Sequence, residues 1–155
     1  MRYMRYQIAL WVTLADQFTK TLAVNRLQDG SFPVIPNALH MTYVQNSGAA
    51  FGIFKNSNMM LTILMAVIIA ALLAVLAKKP RGGLWSVASG LILGGAAGNF
   101  IDRITRGYVV DFIDVRLFHY AVFNVADSCV VAGVVILFIC MMFFDKKEEP
   151  NDAAA

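Results

Sequence analysis

The chain has 155 residues and a formal net charge of +3. Hydrophobic residues make up 59% and charged residues 15%, against about 45–50% and about 25% in a soluble domain. This excludes an ordinary water-soluble globule and leaves one membrane domain as the expectation. Nor does the positive balance mark a nucleic-acid binder, because the basic residues flank apolar segments instead of interleaving with aromatics on a polar face.

Taken in order, Arg2 and Arg5 precede an apolar segment at about 6–24, interrupted late by Asp16, Gln17 and Lys20. No small-residue cleavage site follows it, so it is expected to be a retained first span and not a leader. Residues 25–58 are mixed and form the first loop. Pro33 and Pro36 break helix, Leu39 to Val44 alternates as a short strand does, and Asn46-Ser47-Gly48 is turn chemistry. Residues 59–77 carry no charge and suffice for a second span. A basic turn, Lys78-Lys79-Pro80-Arg81, leads to a third span at 84–103, which ends in Asp102 and Arg103. Residues 104–121 form a second loop holding Asp111 and Asp114, and a fourth span covers 122–144. The polar tail 145–155 is expected to be disordered. Cys129 and Cys140 share the fourth span, roughly 16 Å apart along a helix, and read as small buried hydrophobes.

The basic residues set the orientation. Arg2, Arg5, Lys78, Lys79, Arg81, Lys146 and Lys147 fall in the termini and the middle turn, while the two longer loops hold Arg26, Lys55, Arg106 and Arg116. The positive-inside bias then places both termini in the cytoplasm and both loops outside. The expected fold is an α-helical integral membrane protein of four transmembrane helices, with a small extracytoplasmic β-rich element and a second extracytoplasmic loop.

With this topology the polar membrane residues gather at one depth: Asp16 and Lys20, then Asn99, Asp102 and Arg103, then Asn124 and Asp127, with Asp111 in the outer loop. Ionisable residues at such a depth are costly and point to function. Gly90, Gly94 and Gly98 repeat every fourth residue, a ladder that admits a close helix neighbour. Two carboxylates brought together cannot both ionise cheaply, so such a pair shares a proton and suits peptide hydrolysis. The rival chemistries lack parts. Ser128 has no histidine near it in sequence, and His40 and His119 stand apart, without HExxH or Cys/His spacing for a metal. A proton- or ion-coupled transporter is the alternative reading, weakened by the absence of polar residues through 59–77 and 130–144. A third reading is a scaffold that dimerises through the glycine ladder.

Five blocks carry a family resemblance: Asp16-Gln17-Phe18-Thr19-Lys20, Asn46-Ser47-Gly48-Ala49-Ala50-Phe51-Gly52, 94–103, Gly107-Tyr108-Val109-Val110-Asp111-Phe112, and Phe123-Asn124-Val125-Ala126-Asp127-Ser128. In that order, on four expected spans, the chain resembles the bacterial lipoprotein signal peptidases (signal peptidase II). The resemblance implies a monomeric aspartic endopeptidase of the bacterial inner membrane, without a cofactor or metal. It would act on diacylglyceryl-modified prolipoproteins and cut before the lipidated cysteine. It implies Asp111 and Asp127 as the catalytic pair, Asn46, Asn99, Arg103 and Asn124 as substrate-facing, and Asp16, Lys20 and Asp102 as polar support. The first loop would be a β-cradle resting on the bilayer and the second a mobile lid carrying Asp111. Asp114 reads as a solvated loop acid.

Overall fold

The computed structural model describes residues 3–28, 30–48, 57–78, 82–118 and 120–143. The tail 145–155, His119, and the Ala49 to Gly52 part of the second block lie outside the described residues. The elements are helix α1 (Met4–Arg26), strands β1 (Phe32–Ile35) and β2 (Leu39–Asn46), helices α2 (Asn58–Lys78) and α3 (Leu84–Thr105), strand β3 (Val109–Val115), a 3-10 turn at Arg116–Phe118, and helix α4 (Val125–Phe143).

Three of the helices are long and apolar enough to cross a membrane: Asn58–Ala77, Leu84–Thr105 and Val125–Phe143. At 1.5 Å per residue, about twenty residues span the roughly 30 Å hydrocarbon core. The fourth expected span, α1, is not among these three. Arg5, Asp16, Lys20 and Arg26 interrupt its apolar run. Its polarity is inverted relative to a helix in water: Leu10, Leu14, Phe18 and Leu22 face outward, while Asp16 and Lys20 are completely buried.

Helix α3 lies at the centre, because it is built to be approached from two sides. A Cβ at Gly94 would fall 2.6 Å from the Ala9 carbonyl oxygen, and one at Gly90 2.8 Å from that of Arg5. Thus Gly90, Gly94 and Gly98 form the seat of α1. Gly95 instead receives α4 at Ala126, and Gly133 of α4 lets Ala88 and Ile92 of α3 come close in return. The ladder read from sequence is therefore used inside the chain. Helix α2 leans on α3 and otherwise leaves its apolar side chains uncovered.

The strands form one antiparallel sheet, ordered β1-β2-β3. Pro33 sits on edge strand β1, where its missing N–H costs least. Asn37 takes the positive φ of 62° that the tight β1–β2 turn requires. The second loop is thus not a plain loop. Residues 109–115 pair with β2, with Val44 opposite Asp111 and Met41 opposite Ile113. Phe123 closes the return by exchanging backbone bonds with Ile113, at 2.8 and 3.1 Å. Ala23, Val110 and Phe112 form a small buried cluster that joins the end of α1 to the sheet.

Candidate active site

The site is assembled at the start of α4. Asn124 caps this helix: its Oδ1 accepts from the Asp127 backbone N–H at 2.9 Å. In return, Asp127 Oδ2 accepts from the Asn124 backbone N–H at 3.2 Å. This is a capping box, and it holds the Asp127 carboxylate in the first turn of the helix, where the helix dipole favours negative charge. The other carboxylate oxygen, Oδ1, accepts from Asn99 Nδ2 of α3 at 2.7 Å.

Asp111 arrives from β3. It is 2% exposed. Its Oδ1 accepts from Asn124 Nδ2 at 2.7 Å, and its Oδ2 from Asn46 Nδ2 of β2 at 2.8 Å. Asn124 therefore touches both acids, one through its side chain and one through its cap. Burial pushes the Asp111 carboxyl up to about 6, with the Asp127 charge adding to it, while the Asn46 and Asn124 amides and Lys20 pull it back. Asp111 thus lies on a strand paired with β2, within the second loop that the resemblance gave as a lid. Val109 to Phe112 are all buried, so the strand shows no two-residue alternation, and its Asn46–Asp111 contact spans 65 residues.

Behind the two acids lies a dry ion cluster. Lys20 Nζ meets Asp16 at 2.9 Å and Asp102 at 3.1 Å, with all three side chains fully buried. It also donates to Asn99 Oδ1 at 2.7 Å. The free lone pairs of the cluster are used to fasten other elements. Asp16 Oδ1 accepts the Ala126 N–H of α4 at 2.9 Å, and Asp102 Oδ2 accepts the Val110 N–H of β3 at 3.0 Å. Arg106 completes Asp102 at 3.3 Å, and Gln17 bridges Asp102 at 3.2 Å to the Gly98 carbonyl at 3.0 Å.

Arg103 is 7% exposed and also bound to the protein. Its Nη2 donates to the Gly48 carbonyl at 2.6 Å and its Nη1 to Asn58 Oδ1 at 3.1 Å. Its Nε has no partner among the described residues. Asn58 was not singled out from sequence. Its signal was an amide at the head of a long apolar span. Asp114 stands apart from the acids, held by Arg116 at 2.9 Å and Thr42 at 3.0 Å. Burial raises its carboxyl, but those bonds and the Arg116 and His40 charges outweigh it and leave it below its usual range.

Asp111, Asp127, Asn46, Asn99 and Arg103 all line one cavity of about 450 Å³. Its remaining walls are mostly apolar and come from three helices, with Met65 and Ile68 of α2, Ile92 of α3, and Val130 and Val131 of α4, and from Val109 and the segment Tyr120 to Phe123. The cavity thus has a polar pole with two acids and a wall of membrane-helix side chains. Among the described residues, no group of three or more His, Cys, Asp or Glu side chains could hold a metal ion.

The fold has solved counterparts among bacterial membrane enzymes. The fold is similar to a bacterial membrane enzyme solved by the in meso method, with a TM-score of 0.83 and 35% identity over 94% of this chain and 93% of that one. A second such structure matches with a TM-score of 0.80 and 37% identity, covering 92% and 94%. Residues 8–143 match the family described as Signal peptidase (SPase) II, and the chain belongs to that family of bacterial membrane peptidases. It is 47% identical to the lipoprotein signal peptidase of Caldanaerobacter subterraneus subsp. tengcongensis, over 88% of this chain and 94% of the relative. It is 42% identical to that of Bacillus velezensis, over 93% and 97%. Family membership replaces the transporter and scaffold alternatives.

Proposed function

We propose that this protein cleaves the signal peptide from diacylglyceryl-modified prolipoproteins, immediately before the lipidated cysteine, with Asp111 and Asp127 as the catalytic pair. The observation that carries the reading is Asn124, which binds both carboxylates at the polar pole of an apolar-walled cavity. A substrate with an acyl-bearing cysteine needs both halves of that cavity: acids for the peptide bond and an apolar wall open to the lipid.

Charge balance supports a pair that shares one proton. Asp16 and Asp102 are neutralised by Lys20 and Arg106. Among the described residues, Arg103 is the one cation that lines the cavity with Asp111 and Asp127, so one proton on the pair completes neutrality in a low-dielectric site. In this mechanism Asp127, fixed at the helix start, takes a proton from the attacking water. Asp111 gives its proton to the scissile carbonyl oxygen. The tetrahedral diol then collapses: Asp111 takes back a hydroxyl proton as the carbonyl re-forms, the C–N bond breaks, and the proton on Asp127 passes to the leaving amine. Asn46, Asn99 and Asn124 orient the acids, and Arg103 lines the cavity beside them.

The same reading makes α1 a fourth span. Its buried Asp16 and Lys20 are partnered, which offsets part of the desolvation penalty that would otherwise weigh against it. Both termini then lie in the cytoplasm, the acids sit near the outer face, and the protein acts as a monomer without a metal or cofactor. The test is mass spectrometry of a lipidated precursor incubated with the purified protein. Asp111→Asn and Asp127→Asn should each abolish the cut while leaving the protein folded, and EDTA should have no effect. Cleavage retained in both variants overturns the assignment.

A further inference from the structure

We infer that Lys20 is a positioning residue for the reaction: it holds the oxygen of the Asn99 amide and so turns the nitrogen of that amide onto Asp127. The inference rests on the reading of Asp127 as a member of the catalytic pair. An asparagine amide is nearly symmetric in shape but opposite in chemistry at its two ends. Flipped, Asn99 would set an oxygen against the Asp127 carboxylate, where two acceptors repel. Something must select the productive orientation, and Lys20 has the chemistry to do so. Its ammonium can only donate, and it lies 2.7 Å from Asn99 Oδ1. Its three protons face three acceptors: Asp16 at 2.9 Å, Asp102 at 3.1 Å and Asn99. None is left to rotate away. Asn124 Nδ2 supports the same orientation from the other side at 3.1 Å. Asn99 Nδ2 is then committed to Asp127 Oδ1 at 2.7 Å. A cation that touches neither catalytic acid thus sets the geometry of one of them through a single amide.

A merely architectural lysine would affect how much protein folds and leave turnover per folded molecule unchanged. The test uses the full chain and a synthetic diacylglyceryl lipopeptide. Lys20→Met is made in an Asp16→Asn background, so that the cluster keeps its charge balance. Compared with Asp16→Asn alone, kcat should fall about 10- to 100-fold for folded enzyme, the scale of a misplaced reacting group, with KM unchanged. In the Asn99→Ala background the same change should cost less than about twofold more, because coupled residues are not additive. A readout independent of turnover is the side-chain amide pair of Asn99 in asparagine-¹⁵N-labelled protein. Its signals should move in the Lys20→Met/Asp16→Asn protein and, by a smaller amount, in Lys20→Arg, which keeps the charge if the former does not fold. Asn99 signals that stay in place, or kcat per folded molecule that is unchanged, overturn the inference. Asp127→Asn separates the two failures: if it still cleaves, the catalytic pair is wrong, and if it is dead while the Asn99 signals stay put, only the role of Lys20 is.

Discussion

Two groups of carboxylates lie within one polar layer and are held in opposite ways. Asp16 and Asp102 are fully buried and share the Lys20 ammonium directly. Asp111 and Asp127 are held by the neutral amides of Asn46, Asn99 and Asn124 and open onto a cavity. A direct cation fixes a carboxylate as an anion and uses it as a fastener. Amides position a carboxylate while leaving its proton free to come and go. The first group therefore carries the architecture, tying α1 to α3, β3 and the head of α4, and the second is left for chemistry.

If that contrast is right, substitutions in the two groups should fail differently. The largest effect is expected at the acids: Asp111→Asn or Asp127→Asn should lower kcat by about 10²–10⁴-fold or more, the usual worth of a general acid or base, with the melting temperature in detergent nearly unchanged. A parallel collapse of folding would break the distinction. Lys20→Met alone should add a loss of stability to its loss of turnover, because it strands Asp16 and leaves Asp102 with Arg106 alone. A stability loss of about 3–5 kcal/mol is expected for one broken buried pair, read by thermal or denaturant unfolding. If the protein melts as before, the cluster is not the fastener described here.

A finer comparison uses pH. The folded-state pKa of Asp111 is about 6, above the roughly 3.9 of an unfolded chain. The folded protein therefore holds this proton more tightly. The resulting stabilisation is present below about pH 4 and is lost as pH rises through about 6. If Asp111 must carry the proton, kcat/KM should fall on the alkaline side of about pH 6, and kcat itself at higher pH, since bound substrate excludes more water. A flat profile from pH 5 to 8 would remove Asp111 as the proton donor.

How much of this could be read without coordinates depends on the range of the interactions. Three of the spans follow from uninterrupted apolar runs, and the polar residues of the site stand where such runs are broken. The Asp16–Lys20 bridge is a local i, i+4 contact and is visible in spacing alone. The capping box of Asn124 and Asp127 is equally local, yet its second function is not, because the Asn124 side chain reaches Asp111 across 13 residues of strand and turn. The β3 strand was hidden because its partner β2 is distant in sequence and because Val109 to Phe112 are all buried, so no two-residue alternation marks it. Asn58 was hidden for the related reason that its partner, Arg103, lies 45 residues on. In each case the residue type was legible and the neighbour was not.

The smallest expected effect is the sharpest control on the contrast between the groups. Asp114 lies three residues after Asp111 on the same strand, with the same side chain, but it bonds Arg116 and Thr42 and does not line the cavity. Arg116 is exposed, so the pair is a surface ion pair worth about 0–1 kcal/mol. Asp114→Asn should therefore leave kcat/KM within about twofold and shift stability by less than about 1 kcal/mol. Its carboxyl already lies below the usual range, so it is ionised throughout the pH window in which Asp111 titrates, and the pH profile should not move. A variant that lost cleavage would mean that proximity in sequence, and not the choice of amide over cation as partner, had picked out the wrong acid.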